Sequence, residues 1–196
     1  MSALVIGVGS PDGGDDAVGL QVAEQARLSG RTTLRVLTTT VPTSLLDLWC
    51  DHDDVVLIDA VRCAGSPGTV TVRRLDAPQR RARPGARGTH GFGVVQTVEL
   101  ARALHRLPRS LVLVGIEATD LGPGRPLSPE VRASIPAAVR AVLTACSTAV
   151  GSVKDQPPPG QGPQTLAPEA SRIEGLHEAR SRRCRDEEHR EIPHPE

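Results

Sequence analysis

Several residues able to do chemistry stand where the apolar segments of this chain end. Asp15 and Asp16 follow the run "ALVIGV", Asp59 closes "DVVLIDA", Glu117 lies at the end of "SLVLVGIEA", and His90 sits in the glycine-flanked "GTHGFG". In a parallel α/β sheet, functional groups collect in the crevice beyond the carboxyl ends of the strands, so all of these residues are expected to face one cleft. An aspartate ending an apolar strand is poorly explained as core, because burying an unpaired carboxylate is expensive. Asp16, Asp59 and His90 together make an O,O,N donor set. Such a set suits a borderline transition metal such as zinc or nickel and leaves positions open for water or substrate.

Each member also has an ordinary explanation. Asp15 or Asp16 could simply cap a helix, Asp59 could cap the turn that follows it, and His90 could hydrogen-bond to backbone in its loop. What weighs against these readings is the gathering of ligand-type residues at one edge. Ser10 lies beside the same loop but lacks a G-x-S-x-G context, and Cys63 has no histidine paired with it in sequence, so neither is a credible nucleophile. The run "DHDD" (Asp51 to Asp54) reads as a solvated turn, His105 lies among arginines on a helix, and His177, His189 and His194 belong to the tail.

The glycine-rich stretch "GVGSPDGGDDAVG" from Gly7 is not a phosphate cradle. The dinucleotide fingerprint G-x-G-x-x-G needs glycine at Asp12, and "VLTTT" offers threonine where an acidic residue should end the second strand. Two aspartates at a helix N-terminus would repel a pyrophosphate, and no G-K-[ST] follows for a P-loop.

Positioning these groups falls to alternating strand-like and helix-like segments, which predict an α/β domain with helices covering a largely parallel sheet. Strands are expected at "ALVIGV", Leu34 to Thr38, Asp54 to Ala60 and Ser110 to Ala118. Helices are expected from Asp16 to Leu28, Pro42 to Cys50, Val94 to Leu107, and onward from Ser128 as N-cap with Pro129 in the first turn. The alternating run Thr69 to Leu75 after "GSPG" predicts a short extra strand, antiparallel at one edge. The arginine- and glycine-rich segment Pro78 to Gly93 reads as a loop.

The 196 residues suit one such domain, at roughly 100 to 200 residues per domain. It is expected over 1–150, followed by a Pro-, Gly- and charge-rich tail over 151–196 that buries too little apolar surface to offset ordering and is expected to be mostly disordered. With 23 basic and 23 acidic residues, the charge balance points to neither nucleic acid nor an anionic membrane. Trp49 and Phe92 are the only aromatics, so Val, Leu, Ile and Ala must build the core. The four cysteines show no C-x-x-C spacing and "MSALVIGVGS" is unlike a secretory leader, which predicts a cytoplasmic protein with free thiols. No apolar run approaches the roughly 18 residues of a membrane helix.

Four blocks in this order, "LVIGVGSPDGGDDAVG", "VVLIDAV", "GTHGFGV" and "VGIEATDLGPGRPLSPEV", resemble the hydrogenase maturation endopeptidases over roughly Ala3 to Leu143. That family trims the C-terminal extension of the large subunit of nickel-iron hydrogenases. The resemblance implies a three-layer α/β sandwich with a mixed, mostly parallel sheet, and it places the family's metal-binding positions on Asp16, Asp59 and His90. Ser10, Asp15 and Glu117 would stand around them. It further implies an endopeptidase whose partner is the large-subunit precursor and whose nickel arrives with that precursor, zinc or another divalent metal being able to substitute in vitro. The alternative is a non-catalytic, chaperone-like protein that checks the precursor for nickel. Ser10 replaces the family's common asparagine after the first G-x-G, and Ala17 replaces the glycine common after the acidic pair.

Overall fold

The computed structural model describes residues 3–30, 34–77 and 93–151. The chain divides into units Met1–Lys154 and Asp155–Glu196, the second of which lies wholly outside the described residues. The expected tail, apart from Gly151, and the loop bearing His90 therefore also fall outside them.

Strands β1 (Ala3–Val8), β2 (Leu34–Thr39), β3 (Asp54–Val61), β4 (Val70–Arg74) and β5 (Ser110–Glu117) form one sheet in the order β2-β1-β3-β5-β4. The first three and β5 run parallel, and β4 pairs antiparallel with β5 at the edge, as the alternating run after "GSPG" predicts. Helices α1 (Val18–Leu28), α2 (Leu45–Leu48), α3 (Val94–Ala103) and α4 (Pro129–Gly151) complete the domain.

Side chains alternate across a strand, and two apolar clusters follow from that period. Val5, Val56, Ile58, Val112 and Val114 meet Val18 and Val22 of α1 and Val131, Ile135 and Val142 of α4. Leu4, Ile6, Val55, Leu57, Leu111 and Leu113 meet Leu45 of α2 and Val94, Val98 and Ala101 of α3, with Trp49 buried beside them. Three layers result, with aliphatic residues doing nearly all the filling. Among the described residues no helix is long and apolar enough to cross a membrane.

Three helices differ from the pattern expected of the sequence. The first begins as a 3-10 turn, Gly14–Ala17, and becomes α-helical only at Val18. The second is mostly short-range structure: Pro42–Ser44 is 3-10 and α2 has a single turn, because Thr39 Oγ1 and Ser44 Oγ bond the backbone of Val41 and compete with a regular helix. The third stops at Ala103 because His105 adopts a left-handed conformation, φ 55°, and the Arg106 amide returns to the Ala101 carbonyl at 2.8 Å.

Helix α1 rests against the sheet through Gly19. A Cβ built there would meet the Val8 carbonyl oxygen and lie 2.7 Å from that of Ile58, so only glycine allows this approach. The expected consequence is that Gly19→Ala lowers unfolding free energy by about 1–3 kcal/mol, the usual cost of forcing extra atoms into a packed contact. Urea denaturation of the two proteins checks it.

Candidate active site

The carboxyl ends of β1, β2, β3 and β5 define one edge of the sheet, and the chain from Gly9 to Ala17 crosses it. Asp59 lies opposite Gly115 of β5 and, two residues on from Leu57, on the sheet face that α2 and α3 cover. Its side chain is half-buried. Burial raises its pKa, the neighbouring Asp16 charge raises it further, and the Ala60 amide only partly offsets them, so the carboxyl is pushed up to about 7. The two aspartates singled out by sequence thus sit within reach of each other's charge.

Asp16 is fixed from below. The Ser10 amide donates to its Oδ2 at 2.7 Å. Gly9, at φ 147°, has the Asp16 carbonyl where a Cβ would stand, so the turn that brings Asp16 round depends on glycine there. Because the bond to Asp16 uses the Ser10 backbone, asparagine and serine can serve equally in that contact.

Asp15 faces a different way. It is fully buried, and its carboxylate accepts hydrogen bonds from the amides of Thr119 (2.9 Å), Asp120 (3.0 Å) and Ser128 (2.7 Å) and from the Ser128 hydroxyl (3.1 Å). Burial by itself would raise its pKa, but the amides of Asp120, Ser128 and Thr119 with the Ser128 hydroxyl outweigh it and hold the carboxyl below its usual value. Ser128 still takes the N-cap position of α4, its carbonyl accepting from the Arg132 amide at 2.9 Å, while its hydroxyl serves Asp15. Glu117 is likewise buried and braces a loop, its Oε1 accepting from the Cys63 amide at 2.8 Å.

The described residues therefore bring Asp16 and Asp59 together and turn Asp15 and Glu117 toward flanking loops. His90 lies outside them, and among them no group of three His, Cys, Asp or Glu side chains is arranged around a metal position. Among the described residues Cys63 is an exposed and Cys146 a buried free thiol. One anchoring residue had no sequence signal: Arg102 on α3 donates to the carbonyls of Leu75 (2.5 Å) and Asp76 (3.2 Å), tying the helix that follows the His90 segment to the chain that precedes it. An arginine in a helix with other arginines nearby carries no mark of such a partner.

The model of the hydrogenase maturation protease family matches residues 31–145. The chain belongs to this family. It is 29% identical over 149 residues to the hydrogenase 2 maturation protease of Escherichia coli, spanning 74% of this chain and 90% of that protein. The solved structure of the hydrogenase maturating endopeptidase HybD from E. coli shares 26% identity at a TM-score of 0.60, over 76% of this chain and 93% of HybD. The maturation protease HycI from Thermococcus kodakarensis, at 19% identity and TM-score 0.60 over 74% and 92% of the two chains, shares the fold. The protein is accordingly an endopeptidase, a hydrolase of peptide bonds, built on this family's α/β sandwich. The family match takes in Asp59 and His90, whereas Asp15 and Asp16 precede it.

The raised pKa of Asp59 has a measurable sign. A carboxyl whose folded pKa exceeds its unfolded value costs no stability below about pH 4, and the cost grows as pH rises to about 7. In metal-free protein, Asp59→Asn is expected to gain about 2–4 kcal/mol at pH 8, at about 1.4 kcal/mol per pKa unit, and nothing at pH 4. Chemical denaturation of both proteins with chelator present, at the two pH values, checks this.

Proposed function

We propose that this protein removes the C-terminal extension from the large-subunit precursor of a nickel-iron hydrogenase after nickel insertion, with Asp16, Asp59 and His90 engaging the nickel that the precursor carries. The observation that carries the reading is the pair of carboxylates at the sheet edge. Their mutual repulsion, in a partly desolvated place, is relieved when a cation joins them, and two oxygens with an imidazole nitrogen are donors that nickel accepts. The relatives named as hydrogenase maturation proteases support the choice of substrate.

The metal, when bound, supplies a Lewis acid that polarises the scissile carbonyl or activates water. The chain's own groups do the rest. Asp59, with a pKa near 7, holds a proton at moderate pH in the free protein and gives it up when a cation arrives. Asp16 keeps its orientation through the Ser10 amide, so the donor pair need not reorganise on binding. Zinc or another divalent ion would occupy the same donors in vitro. The expected location is the cytoplasm.

Incubating nickel-loaded and nickel-free precursor with the protein and weighing the products tests the reading. Only the loaded precursor should shorten. Replacement of His90 by Ala is expected to slow cleavage roughly 100-fold or more, the loss of a few kcal/mol of stabilisation, with the far-ultraviolet circular dichroism unchanged. Full activity in that variant removes His90 from the site, and binding of loaded precursor without any change in mass makes the protein a nickel-checking chaperone instead.

A further inference from the structure

We propose that Asp15 is a positioning residue for the reaction: through its bonds to residues 119–128 it fixes the 3-10 turn that aims Asp16 at Asp59. The inference rests on the functional reading above only for the word reaction; the positioning itself is a property of the chain.

The turn Gly14–Ala17 is a single 3-10 turn, too short to hold itself in one orientation. With three residues per turn, neighbouring side chains leave it about 120° apart, so fixing Asp15 in one direction fixes Asp16 in another. Asp15 is held on both its main chain and its side chain. Its amide donates to the Asp120 carbonyl at 2.8 Å while the Asp120 amide donates back to its carboxylate, and Thr119 and Ser128 complete the set. Two more backbone links run between the same segments, Gly124 amide to Asp12 carbonyl at 2.7 Å and the bridge between Gly13 and Arg125. None of these groups belongs to the Asp16 carboxylate, whose own bond is to the Ser10 amide. The arrangement divides the labour between adjacent aspartates: one is saturated by donors and locks the loop, and the other is left with oxygens to offer.

Asp15→Asn keeps the size of the side chain but turns one acceptor into a donor that faces amide donors. Val142→Ala, deep in α4 and remote from the edge, serves as a control that lowers stability without touching the loops. Below the melting temperature of all three proteins, two quantities are read: hydrogen exchange of the Ser10 amide, which reports its bond to Asp16, and kcat against KM for loaded precursor. In Asp15→Asn, Ser10 exchange should rise about tenfold or more and kcat fall by a factor between about 10 and 100 with little change in KM, the scale of a misplaced catalytic group. Val142→Ala should move neither. Retained Ser10 protection in Asp15→Asn, or a kcat equal to that of Val142→Ala, overturns the proposal. If Asp15→Asn does not fold, Ser128→Ala, which removes one of the four bonds, should give the same pattern at a few-fold scale, and an unchanged Ser10 overturns it equally. If the wild type leaves every precursor uncut, the substrate assignment fails, and Ser10 exchange still decides whether Asp15 positions Asp16.

Discussion

Two carboxylates held near each other at the edge of a parallel sheet oppose one another, and burial sharpens the opposition. Asp59 reports it directly, being pushed to about 7 by desolvation and by the charge of Asp16. Left to itself such a pair would separate, since Asp16 sits on a short 3-10 turn. The pair persists because each member is held by structure that does not depend on the other. Asp59 is part of an eight-residue strand paired on both sides, and Asp16 is carried by a loop bolted to the chain between β5 and α4.

That division explains the distribution of glycine and charge around the edge. Gly19 lets α1 lie close enough to β1 and β3 for the preceding turn to reach over the strand ends, and Gly9 lets the chain leave β1 and pass beneath the Asp16 carbonyl. Asp15 then converts closeness into rigidity by taking four hydrogen bonds on one buried carboxylate. A buried charge with that many donors is satisfied, and it strongly disfavours any loop conformation that would leave it unpaired. Glu117 does comparable work on the other flank by bonding the Cys63 amide.

Much of this was legible in the sequence, and the reasons are local. Four strand-like runs of the right length predicted the parallel strands, and "DVVLIDA" marked Asp59 because a carboxylate at the end of such a run has no place in a core. The edge strand Val70–Arg74 followed from the alternating run after a turn. What could not be read was whatever depends on partners distant in the chain. Asp15 resembles a helix cap in sequence, yet its donors stand 104 to 113 residues away. Arg102 clasps carbonyls 26 and 27 residues before it, which no periodicity records. The early end of α3 depends on a histidine in the left-handed region, where glycine is the residue that announces a stop.

The same electrostatics would make the proposed site receptive to a cation. A rigid pair of fully ionised carboxylates would strain the free protein at every pH above their ordinary range, whereas a pair in which one member titrates near neutrality can shed the strain by holding a proton. A cation at the proposed site would displace that proton and meet two charges already held near each other. On the proposed reading proton and metal would compete for Asp59, so the affinity of the edge for a cation would rise with pH up to about 7. The rigidity supplied by Asp15 is what would make this exchange possible, because a mobile Asp16 would relieve the repulsion by moving away and no longer present its charge beside Asp59.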